Sequence, residues 1–244
     1  MSSRSNKYFY CHIPKTGGTT FRIILEDIFG EKIIPSNNEI ETNDQKYPEL
    51  SEIIDKHKNL EVSKYQILRG HYHLSAQTLF GENCKSMAIF RDPFQRTVSH
   101  LKHLIEHTND FNENKIKEML DAGNYFLPDN LMTRYIVGEF ISNEQDSHRD
   151  HNNYIHSREL GPIDDYAAEI EQKLKSLYFI STTTNLDNDL ETFLQKEFNY
   201  KYVPAKLNTT NDVNLKLSKE NKSLIEEHNQ LDRYLFELAT KYVN

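Results

Sequence analysis

Three local patterns follow one another at the start of the chain: an apolar run, a glycine-containing loop and an amphipathic segment. Lys7–Ile13 is rich in aromatic residues and ends at Pro14, which predicts a short strand. Apolar residues then recur at helical spacing from Phe21 to Ile28, and Gly30 is placed to end that helix. A strand, a glycine loop and a helix in this order favour an α/β fold.

The rest of the chain extends this alternation, although the stretch from Ile33 to Glu61 is weakly patterned. Further strands are predicted at Tyr65–Gly70, Ser86–Phe90 and Tyr178–Ser181. Helices are predicted at Tyr47–Lys58, Pro93–His107, Ile116–Ala122, Leu131–Val137, Ala167–Leu177, Leu186–Phe198 and Ser218–Tyr242. Strands that alternate with helices predict an α/β fold with a central, mainly parallel sheet flanked by helices.

Length limits the number of domains. The chain has 244 residues, and a chain of this size buries enough surface to hold a core without disulfides or metals. We expect a single domain over residues 1–244. Residues 109–160 are polar, with a segment rich in His, Asn and Asp, and are expected to form an insertion outside the sheet.

Charge and cysteine content restrict the partners and the compartment. The formal net charge of −8 repels duplex nucleic acid and anionic membranes, so an anionic ligand needs a dedicated basic pocket. No apolar run approaches the roughly 18 residues of a membrane span, and the N-terminal segment does not have the pattern of an export signal. We therefore expect a cytoplasmic protein in which Cys11 and Cys84 are buried free thiols.

The loop Pro14–Thr20 has the chemistry of an anion-binding site. Backbone N–H groups and the positive end of a helix dipole suit phosphate or sulfate. Gly17 and Gly18 let the backbone approach the anion, and Lys15 adds a positive charge. In the loop of nucleoside triphosphatases the lysine follows the last glycine, whereas Lys15 precedes both glycines. A tight turn with a helix cap is the alternative interpretation.

A second anion-binding pattern follows the predicted strand Ser86–Phe90. Arg91 stands at the end of that strand, and Ser99 lies eight residues farther on, about two helical turns away. A guanidinium and a hydroxyl in this arrangement can hold a second phosphate, whereas an ordinary surface ion pair at Arg91 is the alternative. Arg96 lies on the same helix and is a weaker candidate.

Together the two patterns resemble the sulfotransferases that use 3′-phosphoadenosine 5′-phosphosulfate (PAPS), in particular the carbohydrate branch that includes heparan sulfate 2-O-sulfotransferase and related bacterial enzymes. Pro14–Thr20 is similar to the 5′-phosphosulfate loop of that family, and the stretch from Arg91 to Ser99 is similar to its 3′-phosphate motif. Weaker similarity covers most of the chain in patches. The resemblance implies a P-loop-like three-layer α/β fold and metal-independent transfer of a sulfuryl group from PAPS to a hydroxyl of a carbohydrate or glycoconjugate.

The resemblance also implies roles for particular residues. Lys15 is expected to contact the bridging oxygen and the 5′-phosphate of PAPS, and Arg91 with Ser99 is expected to recognise the 3′-phosphate. The remaining residues expected to bind the donor are Thr16, Gly17, Gly18, Thr19, Thr20, Lys206 and Asn208. The last two are expected to close over the nucleotide.

A general base is expected just beyond the predicted strand Tyr65–Gly70. Histidine accepts a proton near neutral pH, and His71 follows that strand on the side where α/β sheets bind ligands. The catalytic histidine of the carbohydrate branch lies between the two donor-binding motifs, which also favours His71. His73 shares a face with His71 in an extended chain and is the reserve candidate.

Two other functions stay open. A P-loop kinase would use ATP and Mg²⁺, and Asp92 follows an apolar strand as a magnesium-binding aspartate does. A catalytically silent module would keep only the nucleotide pocket. A metal site at His100, His103 and His107 is disfavoured, because the sequence has neither the His-Glu-x-x-His signature nor zinc-spaced cysteines.

Overall fold

The central sheet has five strands in the part of the chain that the structure describes. A computed structural model of the protein describes residues 6–36, 39–40, 47–48, 50–57, 60–81, 83–108, 116–117, 119, 127, 129–138, 160–204 and 215–243. The strands are β1 (Tyr8–Cys11), β2 (Ile33–Ile34), β3 (Ile67–Gly70), β4 (Lys85–Phe90) and β5 (Phe179–Thr182). All pairings are parallel, and the spatial order is β2-β3-β1-β4-β5. The predicted α/β fold class and four predicted strands are thereby confirmed, whereas β2 was not predicted.

The helices agree with the predictions less uniformly. Those that the structure describes in full are α1 (Gly18–Phe29), α2 (Leu50–Lys56), α3 (Pro93–Thr108), α4 (Leu131–Val137), α5 (Ile163–Ser176), α6 (Leu186–Phe198), α7 (Lys219–Glu227) and α8 (Gln230–Tyr242). The predicted single helix Ser218–Tyr242 is wrong, because α7 and α8 are separated at His228 and Asn229. The helix predicted at Tyr47–Lys58 is shorter, as α2. Most of residues 109–160, including most of the helix predicted at Ile116–Ala122, lies outside the described residues.

Helices cover both faces of the sheet. Tyr8 and Tyr10 of β1 pack in one cluster with α1 and α6, whereas Phe9 and Cys11 pack in another with α4, α5 and α8. All four of these side chains are buried. β1 lies between β3 and β4, and the chain adds strands on both sides of it. At such a switch point a parallel sheet forms a ligand crevice beyond the carboxyl ends of its strands.

Helices α4 and α8 cap each other. The side-chain oxygen of Asn130 accepts hydrogen bonds from the N–H groups of Leu231 and Asp232 at the start of α8, at 2.9 and 3.2 Å. The carboxylate of Asp232 in turn accepts from the N–H groups of Met132 and Thr133 at the start of α4, at 3.0 and 2.7 Å. Each helix therefore receives its N-terminal acceptor from a segment remote in sequence.

Asp232→Ala is expected to lower the free energy of unfolding by about 2–5 kcal/mol, because each buried group left without its hydrogen-bond partner costs roughly 1–3 kcal/mol. The change leaves two N–H groups of α4 without their acceptor, and it removes the negative charge that acts on the fully buried Arg96 guanidinium. Urea unfolding measures this loss against Asp55→Ala, the same change at an exposed position of α2. Equal losses in the two variants would contradict the capping role.

Candidate functional site

A cleft of about 530 Å³ opens at the carboxyl ends of β1, β4 and β5. Small-molecule sites usually have volumes of roughly 300–1,000 Å³. Both anion-binding patterns of the sequence contribute to its lining, through Lys15, Gly17, Gly18, Thr19, Thr20, Arg91 and Ser99. The fold therefore brings together two segments that are more than 70 residues apart in the chain.

The loop after β1 needs its two glycines for different reasons. Gly17 has a φ of 81°, in the left-handed region that favours glycine. At Gly18, the first residue of α1, a Cβ atom would lie 2.4 Å from Nε2 of His12 and 2.3 Å from the hydroxyl oxygen of Tyr10. Glycine thus allows the start of α1 to lie against these rings. The first N–H groups of a helix have no partner within it, so this end of α1 offers donors to an anion in the cleft.

Lys15 is held in a strained conformation beside the cleft. Its φ of 67° is left-handed, which costs a residue other than glycine roughly 1 kcal/mol or more. Burial lowers the pKa of its ammonium group, the charge of Glu106 opposes that shift, and the charge of Arg91 adds to it. Among the described residues no carboxylate lies within ion-pair distance of Lys15. A partly buried cation in this state is suited to an anionic ligand.

Arg91 and α3 extend the positive charge along the cleft. Nη1 of Arg91 donates to the main-chain oxygen of Lys15 at 3.3 Å. Its Nε is buried and has no hydrogen-bond partner in the described part of the chain, and burial lowers the pKa of the guanidinium. Ser99 and Lys102, one turn apart on α3, also line the cleft. Its described lining holds three cations and no carboxylate, which gives an acidic protein a local basic pocket.

Asp92 serves the fold rather than the cleft. Its Oδ1 accepts a hydrogen bond from the N–H of Gln95 in the first turn of α3, at 2.9 Å. Its Oδ2 accepts from Nη1 of Arg233 on α8, at 2.6 Å. Both carboxylate oxygens therefore have protein partners. Within the residues that the structure describes, no group of three or more His, Cys, Asp and Glu side chains is arranged to hold a metal ion.

His71 lies beside His12, at the adjacent ends of β3 and β1. The centroids of the two rings are 4.7 Å apart. Nδ1 of His71 lies 2.6 Å from the main-chain oxygen of His12, so Nδ1 carries the hydrogen and donates it, and the lone pair is on Nε2. Burial lowers the pKa of His71 to about 4, the hydrogen bond to His12 opposes the shift, and the charge of Arg22 adds to it. At neutral pH His71 is therefore an uncharged proton acceptor, with a lower pKa than the usual value of about 6.5.

His73, the reserve candidate, lies in a different environment. It is 1% exposed, and its Nδ1 is 3.1 Å from Oγ of Ser75. A Cβ atom on Gly138, just after α4, would be 3.0 Å from the His73 ring. Neither His73 nor His71 is among the described residues that line the cleft, but His71 lies against His12, which does line it.

Other predicted residues are placed as follows. Thr16 is fully buried and is not part of the described lining. Its hydroxyl donates to the main-chain oxygen of Ile13 at 2.9 Å. Arg96 is fully buried in the core near Asp232 and is not part of the described lining. Lys206 and Asn208 lie outside the described residues.

Seven of the described residues that line the cleft were not predicted as site residues. Among these seven are His12, Lys102 and Thr183. His12 follows β1 and Thr183 follows β5, so the strand-end rule that selected His71 applies equally to them. Lys102 lies three residues after Ser99, which places both on one face of a helix.

The sequence of the chain matches the model of the sulfotransferase family over residues 1–239. The match spans the strands, the loop after β1 and the cleft-lining face of α3. No match is found among curated proteins. Of the described helices, none is both long enough and apolar enough to cross a bilayer.

Proposed function

The chain belongs to the sulfotransferase family, and we propose that this enzyme takes its sulfuryl group from PAPS. The observation that carries the proposal is the meeting of two anion-binding segments in one cleft. Lys15 and the first N–H groups of α1 suit the 5′-phosphosulfate end of the donor. Arg91 and Ser99 suit the 3′-phosphate, the group that distinguishes PAPS from adenylyl sulfate. A donor with two anionic ends accounts for the cations in both segments that line the cleft.

The proposed reaction needs an in-line acceptor, stabilised charge and assistance to the leaving group. Bound PAPS supplies the sulfuryl group, which passes to the acceptor oxygen as the bond from sulfur to the bridging oxygen breaks. His71 receives the acceptor's hydroxyl proton at Nε2, and Lys15 stabilises the negative charge that develops on the bridging oxygen. The negative charge of the donor raises the pKa of His71 in the complex and so strengthens it as a base.

The acceptor in this proposal is a hydroxyl of a carbohydrate or glycoconjugate. The resemblance of both motifs to the carbohydrate branch supports this choice. We further propose that the chain forms one sulfotransferase domain, with residues 109–160 on the acceptor side. Cys11 and Cys84 are free thiols, the first buried and the second partly exposed, which supports a reducing, cytoplasmic location.

A P-loop kinase would need an aspartate that binds Mg²⁺, and Asp92 does not have the environment of such a residue. A magnesium-binding aspartate has a carboxylate oxygen available to the ion, whereas both oxygens of Asp92 are engaged by Gln95 and Arg233. Lys15 also precedes the glycines of the loop. No observation in the described residues favours ATP with Mg²⁺ over PAPS.

An activity assay tests the proposal directly. The purified protein is incubated with PAPS, a chelator of divalent cations and a panel of neutral and acidic oligosaccharides, and the release of 3′-phosphoadenosine 5′-phosphate is measured together with the sulfated product. We expect acceptor-dependent release without Mg²⁺. Phosphorylation of the same acceptors by ATP would contradict the donor proposal. Binding of the donor without transfer to any carbohydrate would contradict the acceptor proposal and favour a silent module.

Arg91→Ala is expected to weaken the binding of 3′-phosphoadenosine 5′-phosphate by about 10–100-fold, the effect of removing a charged hydrogen-bond donor. Because 5′-AMP has no 3′-phosphate, its affinity should change little. Competition calorimetry measures the ratio of the affinities for 3′-phosphoadenosine 5′-phosphate and 5′-AMP. Retained binding of 5′-AMP by Arg91→Ala shows that this variant is folded. An equal loss for both nucleotides would show that Arg91 does not read the 3′-phosphate.

A further inference from the structure

His12 lies at the point where the proposed phosphosulfate site and the base meet. Its ring stacks on Tyr10, with centroids 5.4 Å apart and an interplanar angle of 15°. Its Nε2 is the atom that a Cβ on Gly18 would approach to 2.4 Å, so Nε2 lies at the start of α1. The residue is 6% exposed and lines the cleft. No described residue is a hydrogen-bond partner of Nε2.

The other nitrogen of His12 is fixed by Tyr47. Nδ1 lies 3.0 Å from the Tyr47 hydroxyl oxygen. Burial raises the pKa of Tyr47 to about 12, so the phenol keeps its hydrogen. The positive charges of Arg69 and Arg22 act on the same hydroxyl, and the charge of Glu26 opposes them. Because nearby cations attract the oxygen and repel the hydroxyl hydrogen, they favour the orientation in which the O–H points at Nδ1.

These contacts determine the tautomer of His12. Burial lowers the pKa of His12 well below its usual value, and the positive charges of Arg22 and Arg69 lower it further, so the ring is neutral. A neutral imidazole that accepts at Nδ1 carries its hydrogen on Nε2. Nε2 of His12 is therefore a hydrogen-bond donor. Nε2 of His71 is an acceptor, because His71 carries its hydrogen on Nδ1.

We propose that His12 donates a hydrogen bond from Nε2 to an oxygen of the donor's 5′-phosphosulfate group, and that Tyr47 is the positioning residue that holds this tautomer. The proposal rests on PAPS as the donor. In this arrangement the two adjacent imidazoles have different roles in the reaction. His12 holds the transferring end of the donor, and His71 takes the acceptor's proton. Because His12 is neutral, it polarises an oxygen without giving up a proton.

The tautomers are measured without activity. Long-range ¹H–¹⁵N NMR of the free protein at neutral pH is expected to show hydrogen on Nε2 of His12 and on Nδ1 of His71. In Tyr47→Phe the hydrogen bond to Nδ1 of His12 is lost, and the tautomer with hydrogen on Nδ1 becomes populated. Tyr200→Phe, which removes a hydroxyl that bonds Asp27 on the surface, is the matched control and leaves the tautomers unchanged. Hydrogen on Nδ1 of His12 in the unmodified protein would overturn the assignment.

The contact with the donor is tested by His12→Leu and His12→Gln. We expect His12→Leu to lower nucleotide affinity or kcat by about 10–100-fold, the usual effect of losing a hydrogen bond to a charged group. His12→Gln retains an amide N–H donor and should recover much of that loss. A loss in affinity for 3′-phosphoadenosine 5′-phosphate places the contact on the 5′-phosphate, and a loss in kcat alone places it on the sulfuryl group. Unchanged binding and kcat in His12→Leu would overturn the inference. Failure of the unmodified protein to bind the nucleotide would instead overturn the donor proposal.

Discussion

Lys15→Ala is expected to lower the turnover of sulfuryl transfer by about 10²–10³, the usual loss on removal of one preorganised group that stabilises charge. The ammonium group lies in the cleft beside Arg91, and no carboxylate among the described residues pairs with it. Its charge is therefore available to the bridging oxygen when negative charge develops there. Single-turnover kinetics with saturating PAPS separates this effect from a loss of binding.

Two controls distinguish this role from a role in folding. Lys196→Ala makes the same change on the exposed face of α6 and should leave turnover unchanged. Lys15→Gly removes the side chain and also relieves the left-handed backbone strain, so it should be at least as stable as the unmodified protein and still be as slow as Lys15→Ala. Near-normal turnover of Lys15→Gly would show that Lys15 does not assist the leaving group.

His71→Ala is expected to lower kcat by about 10²–10⁴, the contribution of a positioned general base. The pH dependence follows from the same residue. Because the pKa of His71 in the free protein is about 4, the base is unprotonated from neutral pH down to mildly acidic pH. The ratio kcat/KM for PAPS should therefore stay level between pH 8 and pH 6 and fall only as the pH approaches about 4. In His71→Ala this acid limb should disappear.

The comparison with His73 decides between the two candidate bases. His73 is 1% exposed, whereas His71 is partly exposed and its ring centroid lies 4.7 Å from that of the cleft-lining His12. His73→Gln should therefore mainly lower stability and should keep the acid limb of kcat/KM. Thermal unfolding of each variant separates the two effects. If His71→Ala retained full activity and His73→Gln lost it while remaining folded, the role of base would belong to His73.

Local patterns predicted most of the sheet because its strands are buried on both faces. Each of the four predicted strands contains a short apolar run and is followed by a polar or loop-forming residue. β2 has only two residues, too short for a periodic pattern to indicate. Its place at the edge of the sheet comes from pairing with β3, a contact remote in sequence.

The separation of α7 and α8 shows why one helix was predicted where two exist. Leu224, Leu231, Leu235 and Leu238 keep helical spacing across the junction, so the apolar stripe has no visible break. The start of α8 is set instead by Asn130, whose side chain accepts from N–H groups about 100 residues later in the sequence. A cap supplied from such a distance leaves no local signal.

The candidate site was predicted through the chemistry of strand ends and helix starts. Lys15, Arg91 and Ser99 line the cleft as expected from the two motifs. Their roles, and that of His71, stay predictions. The pKa of His71 could not be predicted, because it depends on burial and on Arg22 of α1. The same holds for His12, whose tautomer depends on a tyrosine 35 residues away.

The most direct test of the account is a calorimetric titration of the purified protein with 3′-phosphoadenosine 5′-phosphate in the absence of divalent cations, compared with 5′-AMP and with ATP in the presence of Mg²⁺. The two anion-binding parts of one cleft predict metal-independent binding that weakens by about 10-fold or more when the 3′-phosphate is missing. Binding of ATP only with Mg²⁺, or equal affinity for 5′-AMP, would contradict the assignment of the cleft to PAPS.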